Sequence, residues 1–232
     1  MKNHKHLGLT LDTKLSFVHH INEKTAIAKK GIGVIKYLSK FVSVKTLDQI
    51  YKAFVRPHLD YCDVVYHIPP NINLFDSTIS LTCSMEKVER VQYQAALAVT
   101  GCWQGTNRNK LYEELGWESL SDRRWVRRMI LFYKMLRYNY PVYLYEHIPR
   151  QRVPIYGCRS PHVFHEIKCR TSKYMNSFFP HCVKSWNTID DRIRNSDTLN
   201  IFKHRLYSLV CPIKKATYSI HNPVTNTCIC RG

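Results

Sequence analysis

Between His20 and about Phe41, the apolar residues Ile21, Ala28, Ile32 and Ile35 recur at the three- and four-residue spacing of one helix face. On a neighbouring stripe of the same predicted helix, Lys29, Gly33, Lys36 and Lys40 fall within roughly 60° of one another. One side is built to pack and the other to meet charge. Val44, Leu47, Ile50, Tyr51 and Phe54 predict a second helix that stops before Pro57, whose ring clashes with the preceding turn of a helix. A short third element holds Leu59, Tyr61, Val64 and Val65. Ahead of them all, Leu7 to Asp12 alternates as a strand does, beginning so near the first residue that sheet partners are expected upstream, as in a fragment.

Pro69 to Cys83 has two prolines, two asparagines and little periodicity, and reads as a loop and subdomain boundary. Helix then returns. Ser84 is a fitting N-cap for a face of Met85, Val88, Val91, Ala95 and Val99 that Gly101 closes, and Asn107 to Leu115 is closed in the same way by Gly116. From Ser121 to Tyr138 the stripe Trp125, Met129, Phe132, Leu136 is narrow, with Arg123, Arg127 and Lys134 opposite and Ile130 and Leu131 flanking the basic side. Residues from Pro141 to about 172 show no period and read as an irregular basic arm. One helix through Phe178 to Ile189, disturbed by Pro180, and one from Ser196 through Leu209 complete the pattern before a frayed tail. The predicted fold is mainly α: a helical, thumb-like bundle after a short β hairpin, then a second basic helical region. The expected divisions are 1–68, 69–140, 141–212 and the tail 213–232.

Charge changes this picture more than composition does. The net charge is +18. Residues 1–120 hold 15 basic and 11 acidic side chains, a net of +4, and residues 121–232 hold 20 and 6, a net of +14. A field of that sign attracts polyphosphates or anionic lipid surfaces. No run of residues is long and apolar enough to span a bilayer, and the first six residues carry no apolar signal core. The nine cysteines form no repeating framework, so reduced thiols and an intracellular address, nuclear or cytoplasmic, are expected.

Several short motifs appear in a fixed order. His6, Leu7, Gly8, Leu9, Thr10, Leu11, Asp12, then Lys14, Leu15, Ser16, Phe17 and His20, Ile21 come first. Leu47 to Tyr51 with Ala53, then Arg56, Pro57, Leu59, Asp60, Tyr61 and Cys62 follow, and after them Glu86 to Gln92 with Thr100 and Gly101. Arg123 and Arg124, Trp186 and Asn187, and Phe202 and Lys203 close the series. Together, over about residues 6–209, they resemble the carboxy-terminal part of non-LTR retrotransposon reverse transcriptases of the LINE, jockey-like kind. The resemblance implies an RNA-directed DNA polymerase whose primer grip corresponds to Leu7, Gly8, Leu9 and Asp12, whose thumb corresponds to the next helices, and whose remainder is a post-polymerase region. A tight hairpin with Gly8 would let backbone approach a primer end, and Gly33 would leave room for a phosphate beside Lys29, Lys36 and Lys40.

The catalytic Tyr-x-Asp-Asp box of that family is absent. The only adjacent aspartates, Asp190 and Asp191, follow Thr188 and Ile189 and come far too late in order. Without clustered carboxylates for Mg2+, which the parent polymerase would use, no nucleotide addition is expected from this chain, and no cofactor. The expected partners are element RNA or a primer-template duplex, and the missing polymerase core, with no membrane. The candidate phosphate-binding residues are Lys29, Lys36 and Lys40 with Arg123, Arg124, Arg127 and Arg128. For each group the alternative is a solvated helix face, or for the arginines packing through their stems.

Tyr138, Tyr140, Tyr143 and Tyr145 are expected to pack at a core edge, with base stacking as the alternative. Cys158, His162, His165 and Cys169 lack the usual zinc spacing, as does His221 with Cys228 and Cys230, so ordinary thiols and surface histidines are expected. A Cys, His and Asp triad has nothing in sequence to orient it. Two further functional readings stay open: an inert or domesticated remnant that docks on protein, with exposed apolar surface near residues 6–17, and a polymerase subunit within a longer product.

Overall fold

A computed structural model of the chain describes residues 3–68, 79–151 and 164–210, with the side chains of residues 79–83 left aside. The protein is mainly helical with one antiparallel hairpin at its start. It forms two compact units among the described residues, 3–63 with 79–120 and 64–68 with 121–210. The expected boundary at residue 69 therefore moves. Residues 79–120 belong with the first helices, because their apolar faces complete one core.

In the first unit, β1 (Asn3–His6) and β2 (Leu9–Asp12) pair with His6 opposite Leu9. The two-residue turn between them, Leu7 and Gly8, has φ of 45° and 80°, as the twist of a tight hairpin requires. The Asp12 carboxylate then accepts the backbone N–H groups of Lys14, Ser16 and Phe17 and the Ser16 hydroxyl, folding the chain into α1 (Val18–Leu38). Burial works to raise the pKa of Asp12, but the hydrogen bonds from Ser16, Lys14 and Phe17 outweigh it and hold the carboxyl below its ordinary value.

Helix α1 buries Ile21, Ala28, Ile32 and Ile35, as its periodicity predicts. They pack against α5 (Ile79–Thr100) and the segment that follows α2 (Val44–Ile50). That segment departs from expectation. The helix does not stop before Pro57; it widens into one π turn over Tyr51–Val55, where the Arg56 N–H reaches back to the Tyr51 carbonyl, and runs on as α3 (Arg56–Asp60). Proline has no N–H to give and its ring crowds the carbonyl four residues back, so a wide turn ahead of Pro57 lets the helix pass.

Helix α4 (Asp63–Tyr66) comes next. Helix α5 begins earlier than its expected cap, so Ser84 is a buried interior position on the Val88, Val91 and Ala95 face. Gly101, at φ 73°, ends it as predicted. Helix α6 (Arg108–Leu115) has Asn107 capping its first turn and Gly116, at φ 62°, closing it. Trp117 stacks on Tyr51 with ring centroids 3.8 Å apart, and its indole N–H donates to the Asp48 carboxylate at 2.8 Å.

The second unit is built on α7 (Leu120–Tyr138). Ser121 lies inside this helix rather than ahead of it. Val126, Met129, Phe132 and Tyr133 enter a core with Cys182, Val183 and Trp186 of α10 (Phe178–Thr188) and Phe202 and Leu206 of α12 (Leu199–Val210). Pro180 is the third residue of α10, where a backbone N–H has no intrahelical partner, so it disturbs nothing. Short helices α8 (Val142–Tyr145), α9 (Ser172–Met175) and α11 (Asp191–Arg194) connect these elements. The Asn187 side chain clamps Phe164 into the core, accepting its N–H and donating to its carbonyl, each at 3.0 Å.

Candidate nucleic-acid interface

The candidate cations separate by environment. Lys29 and Lys36 stand exposed along α1 and Lys40 is exposed in the turn just after it, and a Cβ built on Gly33 meets nothing within 4 Å. From Lys29 to Lys36 is about 10 Å along the helix axis, the length of about three duplex steps at 3.4 Å per strand. The stripe is therefore free to lie along a phosphate backbone.

Lys36 also lines a cleft of about 1070 Å³ in the first unit, together with Arg90 and Gln94 of α5 and Asn107 and Arg108 at the start of α6. Its wall is the loop after Gly101, pinned by Tyr93, whose hydroxyl donates to the Thr106 carbonyl at 2.8 Å and accepts the Gly105 N–H at 3.1 Å. Glu86 is the acidic lining residue, 3.8 Å from Arg90. Lys36, Arg90 and Arg108 so bring cations from three helices to one concavity. The sequence pattern does not mark Arg90 or Arg108 as phosphate ligands, because no local spacing joins residues that only tertiary folding brings together.

The arginines of α7 sit elsewhere. Arg123, Arg124 and Arg128 are buried, and Arg127 is half-buried. Arg128 donates to the backbone carbonyls of His67 at 2.7 Å, Val64 at 3.0 Å and Asn176 at 3.3 Å. The Arg124 guanidinium lies 5.7 Å from the centre of the Tyr66 ring. These are interior groups that tie the second unit together, so Arg123, Arg124 and Arg128 do not present the phosphate-binding surface expected of them. The three carbonyl acceptors engage both terminal nitrogens of the Arg128 guanidinium.

The primer-grip-like residues are similarly tied to structure. Leu9 is buried and Leu7 is exposed. The space that Gly8 leaves is not open to a primer; it is filled by Tyr61, whose hydroxyl donates to the Leu7 carbonyl and would lie 2.7 Å from a Cβ at residue 8. Lys24 covers the same tyrosine ring at 4.4 Å. Asp12 spends its carboxylate on the entry to α1, and His20, which follows in the motif, is buried with Nδ1 facing the Thr10 N–H at 3.4 Å.

The tyrosines expected to pack at a core edge do not: Tyr140 is 73% exposed, Tyr138 and Tyr143 are more than half exposed, and Tyr145 is 38% exposed. Asp190 caps α11 by accepting the Arg192 N–H, and Asp191 pairs with Arg194. Among the described residues no group of three or more His, Cys, Asp and Glu side chains converges as a metal site. His165 is exposed and Cys169 half-buried, whereas Cys158, His162, His221, Cys228 and Cys230 lie outside the described residues. No described helix is long and apolar enough to cross a membrane. Compared with protein families, with curated proteins and with solved structures, the chain has no match in any of the three.

Proposed function

We propose that this chain is a nucleic-acid-binding, carboxy-terminal region of a non-LTR reverse transcriptase, gripping an RNA or primer-template duplex by its phosphates and adding no nucleotides itself. One observation carries the reading: Lys29 and Lys36 stand exposed on α1, open at Gly33, with Lys40 exposed just past its end, and Lys36 meets Arg90 and Arg108 at the cleft. Binding by such contacts releases counterions and so weakens steeply with salt while caring little for sequence. The interface lies on the first unit, not on the α7 arginines. A salt-titrated binding assay with duplex, hybrid and single-stranded nucleic acid tests this; affinity that stays constant from low to moderate salt rejects it.

A second reading, docking on protein as a remnant of a larger enzyme, has an observation of its own. Val34 and Tyr37 on α1 and Phe41 just past its end are more than half exposed, with the Tyr37 and Phe41 rings 5.5 Å apart, and Leu7 protrudes from the hairpin turn. Exposed apolar surface of this kind marks a protein contact. Self-association that persists in high salt and is abolished by Tyr37→Ser with Phe41→Ser would favour it.

A further inference from the structure

The cleft of the first unit holds a group that gripping a phosphate backbone does not use. Three of its lining side chains carry hydroxyls: Ser39, Tyr93 and Thr106. Tyr93 and Thr106 are half-buried and committed to the loop after Gly101, Tyr93 through Thr106 and Gly105, and Thr106 through the Trp103 carbonyl at 2.8 Å. Ser39 is exposed, and its hydroxyl donates to the Lys36 carbonyl of its own last helical turn at 2.7 Å.

The chain around this serine is legible to an enzyme. Lys36 stands three residues before it and Lys40 one residue after, both exposed, and from Lys24 to Leu47 there are six lysines and no Asp or Glu. Serine kinases select substrates by such charge patterns, through grooves of the opposite sign. Residues 39–43 also join α1 to α2 outside both helices. They are bonded back to α1 by the Ser39 N–H to Ile35 and by the Phe41 and Val42 N–H groups to Leu38. A turn held by the end of its own helix opens at small cost, as entry into a kinase groove requires.

The same cleft is lined by Arg90 of α5 and Arg108 of α6, both exposed. The pair of Arg90 with Glu86 at 3.8 Å joins side chains 67% and 72% exposed, so a stronger anion displaces it readily. A phosphate on Ser39 brings about −1.5 to −2 charges. Ser39 is the C-cap of α1, the negative end of the helix dipole, where a phosphate by itself is unfavourable. Lys36, Arg90 and Arg108 reverse that balance, because guanidinium forks suit phosphate oxygens.

We propose that Ser39 is a phosphorylation site for a serine kinase directed by flanking basic residues, and that the phosphate it receives engages Lys36, Arg90 and Arg108 and shuts the cleft to other phosphates. The Ser39 Oγ attacks the γ-phosphorus of a nucleoside triphosphate, and the new O–P bond forms as the bond to the β-phosphate oxygen breaks. The diphosphate leaves with that electron pair, and the hydroxyl proton passes to the base of the kinase. The regulatory part rests on the nucleic-acid interface proposed above; the modification itself does not.

The test treats the full chain with ATP and a lysine- and arginine-directed serine kinase and locates the phosphate by fragmentation mass spectrometry. Label is expected on Ser39 and is expected to vanish in Ser39→Ala. Ser43 is the internal comparison: it is exposed with Lys40 three residues before it, but its Oγ caps α2 by accepting the Thr46 N–H. Phosphorus magnetic resonance then reads the surroundings of the phosphate. Its second ionisation is expected about 0.5 to 1 pH unit below the usual value near 6, returning there in Arg90→Gln with Arg108→Gln. Duplex affinity of the phosphorylated chain is expected to fall about tenfold or more at low salt, while Ser39→Ala given the same treatment binds as the untreated chain does. No label on Ser39, label on Ser43 in its place, an unshifted ionisation, or unchanged duplex affinity overturns the proposal. If the untreated chain binds no duplex, the interface on α1 fails, and the label and the phosphorus titration still decide the site.

Discussion

Arg128 Nη2 donates to the His67 carbonyl at 2.7 Å, binding the start of the second unit to the middle of α7 from inside. Val64 and Asn176 give it two more carbonyl acceptors. Replacing Arg128 by methionine keeps volume but strands all three. The expected cost is about 3 to 5 kcal/mol, the scale seen when a buried charge network is broken. Urea denaturation measures it. If Arg128→Met instead unfolds normally while losing duplex affinity, the residue belongs to the interface.

The lysine stripe should behave in the opposite way. Neutralising Lys29, Lys36 and Lys40 to glutamine touches only exposed side chains, so thermal stability should hold within about 0.5 kcal/mol. The slope of log affinity against log salt should fall by about 2 to 3, close to one for each phosphate that no longer meets a cation. Salt-dependent fluorescence anisotropy with a labelled duplex reads this directly, and an unchanged slope removes α1 from the binding surface.

Two glycines on α1 separate packing from ligand space. A Cβ at Gly31 would lie 2.8 Å from Val55 Cγ2, whereas one at Gly33 meets nothing. Gly33→Ala should stabilise the protein by about 0.5 to 1 kcal/mol through reduced freedom of the unfolded chain. Gly31→Ala should forfeit that gain and destabilise, because Val55 is fully buried and must give way. Paired melting curves decide both, and Gly33→Glu is expected to weaken duplex binding with no comparable loss of stability.

Acid should loosen the second unit before neutral pH does. Burial, then the charges of Arg124, Arg128 and His181, hold His67 well below its ordinary range, and burial with Arg128 and Lys184 brings His181 down to about 4. Both therefore fold as neutral imidazoles. An unfolded histidine takes a proton below about pH 6.5, so stability is full above that value and declines as pH falls toward 4, where folded His181 is itself protonated. His181 alone contributes at most about 3 kcal/mol to that decline. Denaturation midpoints between pH 7 and pH 4 check the direction, and His181→Gln should flatten the slope.

Trp117 and Asp48 offer a local test of the first core. The indole N–H meets a buried carboxylate at 2.8 Å that Lys52 also reaches at 2.8 Å. Trp117→Phe keeps an aromatic ring beside Tyr51 and deletes the donor, with an expected loss of about 1 to 3 kcal/mol. A double-mutant cycle with Asp48→Asn should return a coupling of about 1 kcal/mol, and none would mean the interaction is incidental.

Helix faces were the most legible part of this chain, because Ile21, Ala28, Ile32 and Ile35 or Val88, Val91 and Ala95 declare their burial by spacing alone. The closing glycines Gly101 and Gly116 were legible for the same local reason. The α7 arginines were not. Four arginines in six residues fit phosphate contact, a solvated face or packed stems alike, and it is the backbone carbonyls of His67, Val64 and Asn176, far away in sequence, that make an interior place for one of them. The exposed tyrosines escaped for the converse reason, since large rings predict packing only where a partner surface exists. Arg90 and Arg108 meet Lys36 only through tertiary convergence, which no periodicity encodes.

The wide turn at Tyr51–Val55 gives the chain one residue more than a regular helix would need there. Deleting a single residue from it would close the helix to ordinary pitch and leave all that follows in register, because the Arg56 N–H already meets the Tyr51 carbonyl across the extra residue. Leu59 would stay in the core and Tyr61 beside Gly8, but the Pro57 ring would press on the carbonyl one regular turn before it. The surplus amino acid is thus what lets a proline ride through the helix without breaking it.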